Sequence, residues 1–217
     1  ADLIKEETKG LVNFNICAEP DNMIMALFLN HPFFKTKIQI DDITQEEAEW
    51  FNQLGGAIIS MDNSYKGELY GYDYVSRYPS QLSYNQNYFP IKKGSFTILS
   101  VDKFNEQLYG YDIYCKTSRA EYYNKYYCRA LYRCEFYGNV DERLFKLNDN
   151  DIYTDLDIKR AYKLKYKMKL IEDGSPNCLF WTRNQCVAGS DIFGSYINHF
   201  FKLKQKGFVF AKTFLNN

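Results

Sequence analysis

The chain has 217 residues, 46% of them hydrophobic, which is enough for one sizeable core or two small domains. Its 27 basic and 27 acidic residues balance, so a global positive field for nucleic acid is excluded. The residues contain no apolar stretch of membrane-span length and begin with a polar segment, so we expect an intracellular protein that is neither secreted nor embedded in a membrane.

The charges are divided unevenly along the chain. Residues 1–115 carry 9 Lys or Arg and 16 Asp or Glu, whereas residues 116–217 carry 18 and 11. This asymmetry predicts a basic face built from the later half.

The six cysteines include no Cys-x-x-Cys pair, and the two histidines stand apart from them in sequence. That pattern favours scattered buried thiols over a zinc site.

The first predicted elements lead towards one conspicuous motif. Residues 41–51 are acidic and compatible with a helix, and residues 57–60 and 69–75 are strand-like runs that feed a turn at 76–79. Gly55 and Gly56 precede the first of these runs. Such a pair allows close backbone approach or a positive φ, or it serves only as a turn.

The middle of the chain predicts further strands and then helices. Residues 95–101 and 108–116 are expected to form antiparallel strands, and the Tyr-rich span 119–138 fits either a helix or a long hairpin. Thr154 is expected to cap a helix whose first turn contains Asp155 and Asp157, and we favour this cap over a metal-binding role for these acids. Helices are expected to dominate from there onward, with an interruption at 173–176.

Two amphipathic helices are predicted near the end of the sequence. In residues 191–206, Ile192, Tyr196, His199 or Phe200, and Leu203 recur at helical spacing. In residues 208–217, Lys212 and Asn216 are four apart and share one helix face.

The span 72–82 carries the clearest functional signal. Asp73 ends an apolar, aromatic run, and a carboxylate at such a position can hold a metal ion. The turn that follows can present backbone N–H groups to phosphate oxygens. Tyr78, beside that turn, supplies a flat wall for a sugar. Together these parts predict half of a site for nucleotidyl transfer.

Taken in chain order, these segments resemble family B DNA polymerases. Residues 73–80 are similar to the first palm motif, Asp-x-x-Ser-Leu-Tyr-Pro-Ser, with Arg77 in place of Leu. Residues 191–217 resemble the fingers helices, which include the motif Lys-x-x-x-Asn-Ser-x-Tyr-Gly. The paired glycines resemble the aromatic-x-Gly-Gly element of the family, although Phe51 stands one residue too early for its aromatic.

The resemblance implies two-metal transfer from a dNTP to a DNA primer–template. Asp73 would ligate both Mg²⁺ ions, the Tyr74 carbonyl would complete one shell, and Lys212 would neutralise the departing pyrophosphate. The further contacts that it implies are the amides of Ser76 and Arg77 to phosphates, Tyr78 to the deoxyribose, Lys202 or Lys204 to the triphosphate, Asn216 to the nucleotide pocket, and Gly55 and Gly56 to the template.

The same resemblance implies an α+β fold, with an antiparallel palm-type sheet, flanking helices and a helical fingers hairpin. Residues 1–54 would end an exonuclease or linker region, residues 55–154 would form the palm with an insertion at about 94–150, and residues 155–217 would lead into the fingers. In protein-primed members such an insertion contacts a terminal priming protein, which becomes a further expected partner. The second catalytic Asp motif is not among these 217 residues, so we expect an inactive fragment.

Two other functions remain open at this level. A non-catalytic nucleic-acid-binding module would use Tyr stacking and the cations between 159 and 169, which equally suit a solvated helix face. The tyrosines between 119 and 133 would either stack on bases or lie half-buried in the fold. A structural assembly protein, rich in aromatics, would have no affinity for DNA or nucleotides.

Overall fold

The computed structural model describes residues 6, 10, 38–55, 66–68, 70–71, 76–208 and 211. The chain forms two compact units. Unit 1 comprises 1–39, 71–87 and 188–217, and unit 2 comprises 40–70 and 88–187. The boundaries predicted after residues 54 and 154 remain predictions.

Unit 2 is built on antiparallel strands. Its strands are β1 (Tyr88–Pro90), β2 (Ser95–Thr97), β3 (Arg129–Tyr137), β4 (Ile152–Thr154), β5 (Lys167–Leu170), β6 (Cys178–Trp181) and β7 (Cys186–Ala188). A five-stranded sheet has the order β2-β6-β3-β4, and β5 pairs with the second half of β3. The register places Leu131 of β3 opposite Leu179 of β6 and Thr154 of β4. Strands β1 and β7 form a separate pair.

The first half of the central strand β3 is buried on both faces, because helices cover both sides of the sheet there. Ala130, Tyr132 and Cys134 lie in one apolar cluster, and Leu131 lies in the other. Alternation along a strand sends successive side chains to opposite faces, so each face acquires its own core. The helices of unit 2 are α1 (Gln45–Asn52), α3 (Val101–Thr117), α4 (Arg119–Lys125) and α5 (Asp155–Lys163). Unit 1 contains α2 (Arg77–Leu82) and α6 (Gly189–Gln205).

The α+β class with antiparallel strands and flanking helices is confirmed. The expected strand at 108–116 is wrong, because these residues belong to α3. Ser100 caps that helix by accepting a hydrogen bond from the Lys103 N–H. Phe104 and Leu108 are buried at helical spacing in one apolar cluster, and Tyr111 packs against the other cluster. Packing of these side chains in the core outweighs the local preference of aromatic residues for strands.

The Tyr-rich span 119–138 is neither a single helix nor a hairpin, because α4 occupies its first part and β3 its second. Tyr122 and Tyr123 are buried in the core. For these two tyrosines the structure therefore agrees with the alternative in which they pack within the fold.

The helix predicted after Thr154 is confirmed as α5. The Thr154 hydroxyl accepts from the Asp157 N–H, and the Asp157 carboxylate accepts from the Thr154 N–H, which forms a capping box. The expectation that helices dominate after this point is wrong for 164–188. Strands β5 and β6 lie there because β3 offers backbone partners to the short runs on either side of 173–176, and β7 pairs with β1.

In unit 1, the amphipathic helix predicted at 191–206 is confirmed as α6, with Ile192, Tyr196, Phe200 and Leu203 buried. The turn expected at 76–79 is in fact the start of α2. The strands predicted at 57–60 and 69–75 and the helix at 208–217 fall wholly or largely outside the described residues. Within the described part of the chain, no helix is both long and apolar enough to cross a membrane.

Candidate nucleotide-binding site

The site residues predicted from sequence divide into two groups. Asp73, Tyr74, Gly56, Lys212 and Asn216 lie outside the described residues. The structure describes the other predicted site residues, namely Gly55, Ser76, Arg77, Tyr78, Lys202 and Lys204.

Ser76 begins the short helix α2 in a left-handed conformation, with φ 55° and ψ 40°. This conformation costs a non-glycine residue roughly 1–2 kcal/mol. The Ser76 carbonyl accepts hydrogen bonds from the Ser80 N–H at 3.1 Å and from the Ser80 hydroxyl at 2.8 Å. A left-handed residue followed by a right-handed one turns successive N–H groups towards one point, which is the geometry of an anion-binding nest. The Ser76–Arg77 step has this alternation.

Lys204, in the last turn of α6, reaches this step. Its ammonium Nζ donates to the hydroxyl Oγ of Ser76 at 3.2 Å, across 128 residues of sequence. Lys204 is half-buried, whereas Lys202 is exposed. Of the two lysines that the resemblance left undecided, the structure therefore brings Lys204 to the start of α2.

The two side chains that follow Ser76 both face outward. The ring of Tyr78 is 75% exposed, so a planar group can reach it. Arg77 is also exposed, so the residue that departs from the family pattern does not occupy the core. The start of α2 thus combines a turned backbone, a cation and an accessible aromatic ring.

Gly55 lies in unit 2, packed against Asn148. A Cβ added at Gly55 would lie 3.2 Å from the Asn148 Cγ, so close approach limits the side chain there. The Asn148 amide donates to the Gln53 carbonyl at 2.9 Å and fixes this segment. Leu54 and Gly55 border a depression of about 210 Å³ that Arg160 also lines. Template binding by Gly55 stays a prediction.

Asp157 completes the capping box of the helix predicted at Thr154, and Asp155 forms a buried ion-pair cluster. The Asp155 carboxylate is buried and accepts from the Lys159 ammonium at 2.7 Å and from the Arg129 guanidinium at 3.4 Å. Burial alone would raise the pKa of Asp155, but the charges of Lys159 and Arg129 outweigh it and lower that pKa. Among the described residues, no group of three or more His, Cys, Asp or Glu side chains could hold a metal ion.

The cysteine side chains that the structure describes are buried thiols. Cys128, Cys134, Cys178 and Cys186 are free and lie inside unit 2. Burial raises the pKa of Cys134 and of Cys178, which keeps these thiols protonated and unreactive.

The contact between Ser76 and Lys204 was missed from sequence, as was the helix that Ser76 begins. One signal for the helix was present, because Ser76 is followed three residues later by Pro79, and proline is tolerated in a first helical turn. No sequence signal pairs residues 76 and 204.

Comparison with known proteins adds no relative. No protein-family model matches the chain, and searches of curated proteins and of solved structures return no match.

Proposed function

We propose that this chain is the part of a family B DNA polymerase that binds the incoming nucleotide. The observation that carries the proposal is the 3.2 Å contact between Lys204 Nζ and Ser76 Oγ. It joins a cation of the fingers-like helix to the turned backbone inside the palm-like motif. Sequence order alone did not require these segments to meet.

The described residues have separate roles in this proposal. The backbone N–H groups of Ser76 and Arg77 bind the β- and γ-phosphates, since their alternating conformations turn both groups towards one point. Lys204 supplies a positive charge to the same phosphates. The exposed ring of Tyr78 packs against the deoxyribose and leaves no room for a 2′-hydroxyl.

Mg²⁺, bound to the Asp73 carboxylate and the Tyr74 carbonyl, would stabilise charge on the transferred phosphoryl group. Lys212 and Asn216 complete the nucleotide pocket in this proposal, and a DNA primer–template is the second substrate. A terminal priming protein is the further partner, and unit 2 is its docking element, because residues 88–187 form most of a separate compact unit after the palm-like motif. The second carboxylate motif is not part of the 217 residues, so this chain by itself should not extend a primer.

Nucleotide binding tests the proposal without requiring catalysis. We expect the 217-residue chain to bind a fluorescent dNTP with Mg²⁺, and Lys204→Met to weaken this binding about 10- to 100-fold. That range corresponds to the roughly 1.5–3 kcal/mol of a charge-assisted hydrogen bond. Lys202→Met is the matched control, because Lys202 lies on the same helix but is exposed.

Asp73→Asn should remove the Mg²⁺ dependence of dNTP binding. Equal affinities for wild type, Lys204→Met and Lys202→Met would contradict the proposed site. A chain that binds single-stranded DNA but no dNTP would instead favour the non-catalytic binding module.

A further inference from the structure

A second basic site lies at the C-terminal end of α5 in unit 2. Here the surface forms a depression of about 460 Å³. The described residues that line it are Asp112, Tyr162, Lys163, Lys165 and Tyr166.

The end of α5 shapes this depression. The Lys165 N–H donates to the Tyr162 carbonyl at 3.0 Å, and the Tyr166 N–H donates to the Ala161 carbonyl at 3.1 Å. These bonds form a Schellman motif, in which the residue after the helix is left-handed and is usually glycine. Here that residue is Lys165, with φ 60°. A position that favours glycine therefore carries a cation.

The lysines between 159 and 169 differ in whether they form ion pairs with acidic side chains. Lys159 is buried against Asp155, and Lys169 pairs with Glu135 at 3.0 Å. Lys163 and Lys165 are exposed, and neither forms an ion pair within the part of the chain that the structure describes. The ammonium of Lys163 lies 5.1 Å from the centre of the Tyr111 ring. Two cations thus face solvent at one depression.

An aromatic ring is available beside these cations. Tyr162 is 37% exposed and lines the same depression. The helix dipole favours cations at the end of α5, but it requires neither a depression nor an exposed tyrosine there. Paired lysines with an accessible ring match the chemistry of single-stranded nucleic acid, whose phosphates bind cations and whose unpaired bases stack on aromatics.

We propose that this depression binds a single-stranded nucleic acid. Lys163 and Lys165 contact its phosphates, and Tyr162 stacks on one base. This site needs neither a metal ion nor a nucleoside triphosphate, so it is independent of nucleotidyl transfer.

The test measures binding of a fluorescein-labelled dT12 oligonucleotide to the full 217-residue chain by anisotropy, with EDTA and without dNTP. The key variant combines Lys163→Gln with Lys165→Gly, because glycine adopts the left-handed conformation without strain. We expect roughly tenfold weaker binding and a slope of log affinity against log salt that is smaller by about 1.4, as loss of two phosphate contacts requires.

Two control variants make the test specific. Lys103→Gln removes an exposed lysine about 13 Å along α3 from Asp112 and should leave the affinity unchanged. Tyr162→Leu should weaken binding about fivefold or more, whereas Tyr162→Phe keeps the ring and should bind like the wild type.

Three results would overturn the proposal. The first is an unchanged affinity and salt slope in the double variant, and the second is equal weakening by Lys103→Gln. The third is displacement of the oligonucleotide by poly-glutamate as effectively as by unlabelled dT12, which would indicate a docking site for an acidic protein. Because no dNTP is present, failure here leaves the nucleotide site untouched.

Discussion

A buried carboxylate with two cations stands out among the individual residues. Asp155 and Lys159 are each 5% exposed, and Arg129 approaches the same carboxylate. The Lys159 ammonium also lies 4.9 Å from the centre of the Tyr122 ring and 5.0 Å from that of Tyr111. Two cations here share one carboxylate. The faces of the tyrosine rings attract the Lys159 ammonium and replace part of the hydration that it loses on burial, which offsets the cost of the extra positive charge.

We expect Asp155→Asn to destabilise the protein by about 3–5 kcal/mol, because two buried cations would lose their counter-charge. Urea denaturation at neutral pH measures this loss. Asp173→Asn is the control, since Asp173 forms an exposed pair with Arg133 and should contribute far less.

The same substitution changes the response to acid. The pKa of Asp155 is lowered on folding, so its stabilisation is complete above the ordinary carboxyl pKa and is lost as pH falls through the lowered folded value. The Asp155→Asn variant should lack this part of the acid sensitivity. A stability-versus-pH profile parallel to that of the wild type would contradict the role of Asp155.

At the scale of the element, two glycines inside helices meet opposite surroundings. In α3, a Cβ at Gly110 would lie 2.3 Å from the Tyr126 ring. That ring packs against Tyr122 and Tyr114, so it has little room to move. In α6, the contact that a Cβ at Gly194 would make among the described residues is with the Ser190 Cβ, at an ordinary 3.8 Å. Packing therefore requires glycine in α3, whereas no described residue excludes an alanine in α6.

We expect Gly110→Ala to destabilise unit 2 by about 1–3 kcal/mol through overpacking. Gly194→Ala should stabilise α6 by up to about 1 kcal/mol, because alanine has the higher helix propensity. Denaturation followed by circular dichroism compares the two variants. If both substitutions changed the free energy of unfolding in the same direction, helix propensity rather than the Tyr126 contact would explain both effects.

At the scale of the whole molecule, the reporters of unfolding are concentrated in one unit. Trp50 and Trp181 both belong to unit 2, as do the four buried cysteines. Tryptophan fluorescence and the reactivity of these four thiols therefore monitor unit 2, whereas far-ultraviolet dichroism also monitors α6 of unit 1.

We expect Cys128, Cys134, Cys178 and Cys186 to react with a thiol reagent only as unit 2 unfolds, with the same urea midpoint as tryptophan fluorescence. Mass spectrometry of the labelled peptides resolves each cysteine. Labelling of any of the four in the absence of denaturant would contradict the burial of these thiols.

Local signals predicted several elements correctly. Thr154 and Asp157 are three residues apart, so the capping box of α5 forms from groups that are already neighbours in the chain. The apolar stripe of α6 likewise follows from spacing within seventeen residues. The strand predicted from local signals at 108–116 was wrong. The aromatic side chains there are compatible with the period of a strand and with that of a helix, and the packing of Phe104 and Leu108 in the core favours the helix.

The sequence by itself determined the cap of α5, the amphipathic stripe of α6 and the order of the polymerase-like segments, because these depend on residues close together in the chain. Only the tertiary structure decided that Lys159 is buried while Lys163 and Lys165 face solvent. It also decided that Lys204 rather than Lys202 meets Ser76. These outcomes depend on contacts between distant segments, whose free energy arises from burial and pairing that no local pattern specifies.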